Sequence, residues 1–531
     1  MQSVSGTYTT AAAASYRRPQ YGVLISWKKT IATSFTFFQL DHSHLDRTDK
    51  LKGTGPTVSF FDKYDYVNES NYIASFDIVK KVSSRPWGVI TAQATVTLNN
   101  ASDRFTPGFD GTIGAYILRD RPIKLSVGFE GEFTNMFVGY TERPQVQVVN
   151  KQVVLQCFDA MAYLYKVKSA LPTYVGATVK TIVTDLLLEQ GFTSTQFNIE
   201  DSLQQPISYF NPNGKVVGKM LEDFCNAEGA LMFVDEAGII QFWNRLHMSR
   251  NQTVVSTFNY SSMRDVEWDS TSVLNDVKVV AKPLKTVGFN KIFEMANATT
   301  STRVPAGGSV DIIATFADEL GPFPALSITA PVDESVSIAN SYYSSNYDMD
   351  STGDSAVSVI SLTSTFNFGD SYRMTFSNSS SLDAYIDKIV LFGTSARISA
   401  LQTQAQIDTA SIGLYGLNPD DGGEELEFEF DMIQDAATAN TMAYLIIKYY
   451  ANPLARMSVR TFARPQLQIG DPVSVTIAET STTYTTFVMG YRLAMSKGAK
   501  LEQELYLEQR QLFSYFQLDI SHIDRTDRLG P

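Results

Sequence analysis

A chain of 531 residues with 44% hydrophobic and 19% charged side chains has the balance of an ordinary globular protein and room for roughly three to five domains of about 100 to 200 residues each. Its net charge of −13 argues against a protein that grips nucleic acid through Lys and Arg, yet suits a negative wall past which DNA slides. Only Cys157 and Cys225 are present, which excludes a disulfide framework or a four-cysteine metal site, and no apolar run nears the roughly 20 residues that cross a bilayer.

The opening MQSVSGTYTTAAAASYRR places its basic residues after the small ones, the reverse of a secretory signal, so folding in a cytoplasm is expected. Residues 1–56 read as an arm: YGVLISW and SFTFFQL are strand-like, and DHSHLDRTDKLKGTGP has loop chemistry. From 57 to about 168 the pattern is antiparallel β, with ASFDIVKKV, GVITAQATVTLNN, RPIKLSVGF, FTNMFVGY and QVVLQCFD separated by Gly, Pro, Asn and Asp. Helices follow. Val179, Ile182, Val183, Leu186 and Leu187 share one helical face with Gly191 as a stop, and Val217, Met220, Leu221 and Phe224 repeat the spacing. ALMFVDEAGIIQFW reads as a hairpin turning over 235–238, which makes 170–261 a small α+β unit. The helical stripes read as packed faces.

VLNDVKVVAKP returns to strand, and Ser- and Thr-rich stretches then frame VDIIATF, ALSITA, AVSVISL, SYRMTFS and KIVLFG, the pattern of a β-sandwich inserted between about 290 and 425. DAATANTMAYLIIKYYANP predicts a helix with Asp435 as N-cap and Pro453 past its end; MSVRTF, PVSVTI, TFVMGY and LEQELYLEQ are β again.

Two internal repeats stand out. FFQLDHSHLDRTDKL at 37–51 recurs as YFQLDISHIDRTDRL at 515–529. Less obviously, 121–159 and 471–508 each begin with Pro (Pro122, Pro472) in an apolar strand, pass through FVGY or FVMGY, and end in a strand after a polar turn. Two β-units of one chain can therefore be structural copies, and three such chains would present six similar positions.

Several segments together resemble the tail hub, or baseplate hub, proteins of tailed bacteriophages, which include minor tail proteins of the tail tip. They are ATVTLNNASDRFTPG, the RPIKLSV and FVGYTERP pair, VVLQCFDAMAYL, the helix over 178–191 and LEDFCNAEGALMFVDEAGIIQFWNR. VLNDVKVV, the helix before Pro453, PQLQIGDPVSVTI and FVMGYRLAMSKGAKLEQELYLEQR continue the likeness, which spans roughly 57–290 and 427–512. The resemblance implies a mainly β fold with α+β parts. Its expected organisation is an arm at 1–56, tube-like antiparallel β-barrels at 57–169 and at 262–290 with 426–512, an α+β domain at 170–261, a β-sandwich at 291–425 and a second arm at 513–531. It further implies a homotrimer with pseudo-sixfold barrels that caps or continues the hexameric tail tube. Such a hub docks distal tail or tube-ring proteins and central fibre or spike proteins. DNA passes through its lumen without specific binding, at the tail tip of a virion made in the bacterial host cytoplasm.

The sequence offers little chemistry beyond this. Asp41, Ser43 and His44 lie together, but no G-x-S-x-G elbow exposes the serine, so neither catalysis nor a cofactor is expected. His42, His44 and His522 lie among the repeat aspartates, yet no Gly-centred calcium loop or paired-histidine spacing accompanies them; turns and salt bridges are the expected role. An aromatic strand followed by an Asp-Arg-Thr-Asp turn can instead dock on a sheet edge. The expected interaction residues are Phe38, Gln39, Leu40, Asp41, Asp46, Arg47 and Asp49, with Phe516, Gln517, Leu518, Asp519, Asp524, Arg525 and Asp527 in the second copy. The alternative reading is a host-surface adhesin that uses the inserted sandwich.

Overall fold

The computed structural model describes residues 1–13, 18–28, 64–82, 87–109, 112–250, 253–259, 262–296, 301–318, 321–334, 340–349, 354–356, 358–367, 371–477, 482–496 and 500–509. The chain is mainly β, and its dominant element is one 14-stranded sheet. In chain order its strands are β1 (Gln20–Ile25), β2 (Val67–Asn68), β3 (Ile73–Lys81), β4 (Ala92–Asn99), β5 (Arg121–Phe129), β6 (Glu132–Thr141), β7 (Gln145–Gln147) and β8 (Gln152–Phe158). After a gap in sequence come β9 (Ser256–Phe258), β10 (Met263–Ser270), β11 (Ala455–Phe462), β12 (Pro472–Ile477), β13 (Thr482–Ser496) and β14 (Lys500–Glu508). The spatial order is β10-β11-β14-β13-β3-β4-β8-β6-β5-β1-β2, with β12 also on β13, β9 on β12 and β7 on β8.

The sheet follows from alternation. In β4 the alternate residues Ala92, Ala94, Val96 and Leu98 are buried while Gln93 and Asn99 are exposed, and in β11 Met457 and Val459 are buried while Arg460 is exposed. One face therefore builds a core and the other meets water, as antiparallel sheets allow.

The faint sequence repeat becomes a repeat of register. β5-β6-β8-β4-β3 and β12-β13-β14-β11-β10 have the same order, all antiparallel. Pro122 opposes Tyr140 as Pro472 opposes Phe487, and Tyr140 opposes Phe158 as Phe487 opposes Glu508. Ala94 opposes Ile78 as Met457 opposes Trp268. Even the irregularities match: β3 carries a register shift between Ile73 and Ser75, and β10 carries one between Met263 and Asp265. Bulges are specific features of a strand, so their coincidence marks a copied backbone.

The helical segments form a second core. Val179–Glu189 is capped by Thr178, whose hydroxyl accepts from Thr181 N, and Val217–Glu228 ends at Gly229, whose φ of +63° supplies the left-handed stop. Their buried faces, Val179 to Leu187 and Val217 to Phe224, pack with the hairpin Leu231–Val234 and Ile240–Trp243. Full burial of each such aliphatic or aromatic side chain contributes about 1.5–3 kcal/mol. The helix Ala436–Tyr450 begins at Asp435 as the sequence predicts, yet it packs here and not on the large sheet. It lies against Asp276–Ala281, which with Gln402–Ile407 and Leu426–Glu429 forms a separate three-stranded sheet.

Three segments differ from expectation in what they pack against. Within the expected arm, the helix Gly6–Ala13 and β1 join the large sheet's core: Tyr8, Val23, Ile25 and Trp27 are fully buried, and β1 pairs with β5 along its length. A strand flanked by loop-like sequence reads as an arm until its partner is known. The expected barrel segment 262–290 divides, because only β10 joins the large sheet while Asp276–Ala281 and Leu284–Ala296 pair elsewhere. The inserted unit begins earlier than 291, since Leu284 pairs with Ile398 at the base of a long ladder. Within it, a six-stranded sheet around Ala384–Ile398 and a three-stranded sheet around Ser371–Asn378 share one core that includes Tyr343, Phe376 and Ile389.

Candidate functional site

The repeats at 37–51 and 515–529, with every interaction residue expected there, lie outside the described residues, as do His42, His44 and His522. Among the described residues no group of three or more His, Cys, Asp or Glu is placed to hold a metal ion, and no helix is long and apolar enough to cross a membrane. Cys157 and Cys225 are buried free thiols whose ionisation burial pushes up. His247, the fourth histidine, stacks on Trp243 at 3.8 Å and bonds Glu200 at 2.8 Å.

Polar interactions line both sides of the strand pair where the two repeated units meet. There β3 of the first unit pairs with the C-terminal half of β13 of the second, from Phe76 opposite Met495 to Lys81 opposite Gly490. β13 is 15 residues long, so its N-terminal half holds β12 while the rest leaves an edge for β3. The two backbones approach closely at Gly490, where an added Cβ would lie 2.5 Å from the Lys80 carbonyl oxygen.

On the core side of this junction lies a buried ionic network. Lys80 Nζ is 2.9 Å from Glu236 Oε1, and the two side chains are 3% and 2% exposed. Gln468 Nε2 donates to Glu236 Oε2 at 2.6 Å, and the Tyr491 hydroxyl lies 3.0 Å from Glu236 Oε1 and 3.1 Å from the Met136 carbonyl. Burial by itself raises the Glu236 carboxyl, but the Lys80 ammonium and the Gln468 amide outweigh it and hold the group below its ordinary value. Burial, and then the Glu236 anion, push the Tyr491 phenol far up. Glu236 sits in the hairpin turn between Val234 and Ile240, so one carboxylate ties the α+β core to strands of both repeated units.

The opposite, solvent-facing side of the junction is charged. Arg492 Nη2 meets Asp77 Oδ2 at 2.6 Å across the β3–β13 ladder, Arg456 Nε meets Glu508 at 3.0 Å, and Arg264 Nη1 meets Glu502 at 3.2 Å. An open cavity of about 870 Å³ lies over this face, lined by Lys81, Glu267, Asp269, Arg456, Ser458 and Tyr506 among others. The corresponding face of the first unit is uncharged in both β4 and β8, with Gln93, Thr95, Thr97, Gln152 and Gln156. On the charged face the Ser458 hydroxyl donates to Glu504 Oε1 at 2.6 Å, so polar side chains there pair with one another.

No sequence signal marks Glu236, which stands in VDEAG, an ordinary turn, whereas strand alternation puts Lys80 on the same face as Phe76 and Ile78. Only the meeting of three separate segments makes them a buried pair.

No family model matches the chain and no curated protein matches it. Among solved structures, it is similar to the 43 kDa tail protein of prophage MuSo2 from Shewanella oneidensis, at 8% identity over 84% of this chain and 96% of that one, with a TM-score of 0.43. It is similar to a tail protein from Neisseria meningitidis MC58, at 11% identity over 85% and 95% of the two chains, with a TM-score of 0.44. Prophage tail protein gp18 from Listeria monocytogenes EGD-e is similar at 9% identity over 85% and 93%, with a TM-score of 0.40. All three of those proteins are named as tail proteins, two of them from prophages.

Proposed function

We propose that the chain is the structural hub of a phage tail tip. It acts as a homotrimer whose six repeated β-units, each a tube-like barrel in the assembled ring, cap or continue the hexameric tail tube. The register-level repeat carries this reading: a strand pattern written twice in one chain, bulge included, lets three chains meet a sixfold partner. The polar face of the large sheet lines the channel. Arg492, Arg456 and Arg264 each lie against a carboxylate there, so they are poorly placed to neutralise phosphates, and DNA slides past during ejection.

The LDRTD segments are the docking elements in this proposal. Phe38, Gln39 and Leu40, like Phe516, Gln517 and Leu518, add to a neighbouring sheet edge, while Arg47 and Arg525 pair carboxylates of distal tail, tube-ring, fibre or spike proteins. Arg47→Ala and Arg525→Ala are each expected to reduce tail assembly in a particle-assembly assay while leaving the isolated chain's melting unchanged. Normal assembly of both variants rules the docking role out. The hub reading itself is tested by native mass measurement of the purified chain: three copies are expected, and a stable monomer across micromolar concentrations overturns it.

A further inference from the structure

We propose that β10 of one chain pairs with β7 of a second copy, antiparallel, in the register that β3 and β13 already use inside the chain. The closed ring of three rests on the function proposed above; the pairing itself rests only on the internal junction. β7 is the first unit's counterpart of the part of β13 that receives β3: Gln145 opposes Val154 as Arg492 opposes Glu504, and Gln147 opposes Gln152 as Ala494 opposes Glu502. β10 is likewise the counterpart of β3, down to its bulge.

Inside the chain the two counterparts meet only once. β3 of the first unit lies on β13 of the second, whereas among the described residues no strand pairs with the outer edge of β10 or with the outer edge of β7. Unpaired edges are templates for another chain, and a junction that joins unit one to unit two has an equivalent that joins unit two to the next unit one. Such a contact is head-to-tail, so each copy supplies one edge of each kind.

The internal junction fixes the register. Asp77 opposes Ala494, Ile78 opposes Leu493 and Val79 opposes Arg492. Their counterparts place Glu267 opposite Gln147, Trp268 opposite Val146 and Asp269 opposite Gln145 of the second copy. Gln145 then stands where Arg492 stands, bringing an amide donor to Glu267 in the place of Asp77. One exposed side chain is accounted for as well. Val148 is 68% exposed, while its counterpart Met495, covered by Phe76, is 4% exposed; Val266 of the first chain takes the place of Phe76 and covers Val148 of the second copy. Pro144 bounds the ladder at the other end, because it has no N–H to donate.

The test is a disulfide across the proposed ladder. In the full chain carrying Glu267→Cys and Gln147→Cys, directly opposed Cβ atoms lie about 4.5–5.5 Å apart, close enough to be drawn into a disulfide, whereas residues offset by two lie about 7–8 Å apart. Mild oxidation is expected to give covalent dimers and trimers on non-reducing gels, several-fold more than the offset pair Glu267→Cys with Val149→Cys. The native thiols are buried, and the melting of the reduced variant reports whether it has folded. A trimer by mass with no crosslink overturns the pairing and leaves the ring reading standing; equal crosslinking of the offset pair overturns the register. Crosslinked chains that extend without closing at three support the pairing and overturn the ring, and a folded monomer without crosslinks overturns both.

Discussion

Glu236→Ala is expected to lower unfolding stability by about 3–5 kcal/mol, because it strands the Lys80 ammonium in a site where both partners are nearly inaccessible. The loss is read as a drop in denaturation midpoint, with the β3–β13 amides losing protection from hydrogen exchange first. The double variant Lys80→Met with Glu236→Leu is expected to recover much of that loss, since removing both charges also removes the cost of burying them. If Glu236→Ala melts like the parent, the network is not what ties the α+β core to the two units. The pH dependence has a defined sign. The folded-state carboxyl lies below its ordinary value of 4.5, so the pair's stabilisation is complete above that value and is lost as pH falls through the lower folded-state value. The acid limb of the wild-type stability profile should therefore flatten in the double variant.

Gly490→Ala is the second large effect. A methyl group there would sit 2.5 Å from the Lys80 carbonyl oxygen and 2.6 Å from the Lys81 Cα, both backbone atoms of the paired strand. Backbone yields less readily than a side-chain tip, so the expected cost is about 3 kcal/mol, the upper part of the range for overpacking. Gly413→Ala is the matched control. It lies in the helix Thr409–Tyr415 with nothing within 4 Å of an added Cβ, and it is expected to be neutral or stabilising by about 0.4–1 kcal/mol. Calorimetry of the two variants separates them, and equal melting would remove the close-approach argument.

Gly490 also shows how far sequence and structure agree. The FVGY and FVMGY segments were legible as a faint repeat, and both glycines do sit where a Cβ has no room: at Gly139 the obstacle is the Phe158 carbonyl oxygen, at Gly490 that of Lys80. The obstacles are not equivalent, however. Strand register aligns Tyr140 with Phe487, three residues away from the alignment that the shared Phe-Val letters suggest. Register is a property of backbone pairing, and side chains can drift around a copied backbone as long as their inward or outward alternation survives. The match between β3 and β10 was not legible at all, because IASFDIVKK and MRDVEWDS share almost no letters.

The local elements were written plainly in the sequence. The helices Val179–Glu189, Val217–Glu228 and Ala436–Tyr450, the stop at Gly191, the cap at Asp435 and the hairpin at 235–238 all follow from periodicity and turn chemistry within a few neighbouring residues. Tertiary structure alone decided their company: that Ala436–Tyr450 packs with the α+β core, that β1 leaves the expected arm for the large sheet, and that Lys80 and Glu236, 156 positions apart, become one buried pair. Local propensity is settled by interactions between near neighbours in the chain, whereas strand partners and buried charges are settled by which distant segments can exclude water together, and no stretch of sequence read singly contains that information.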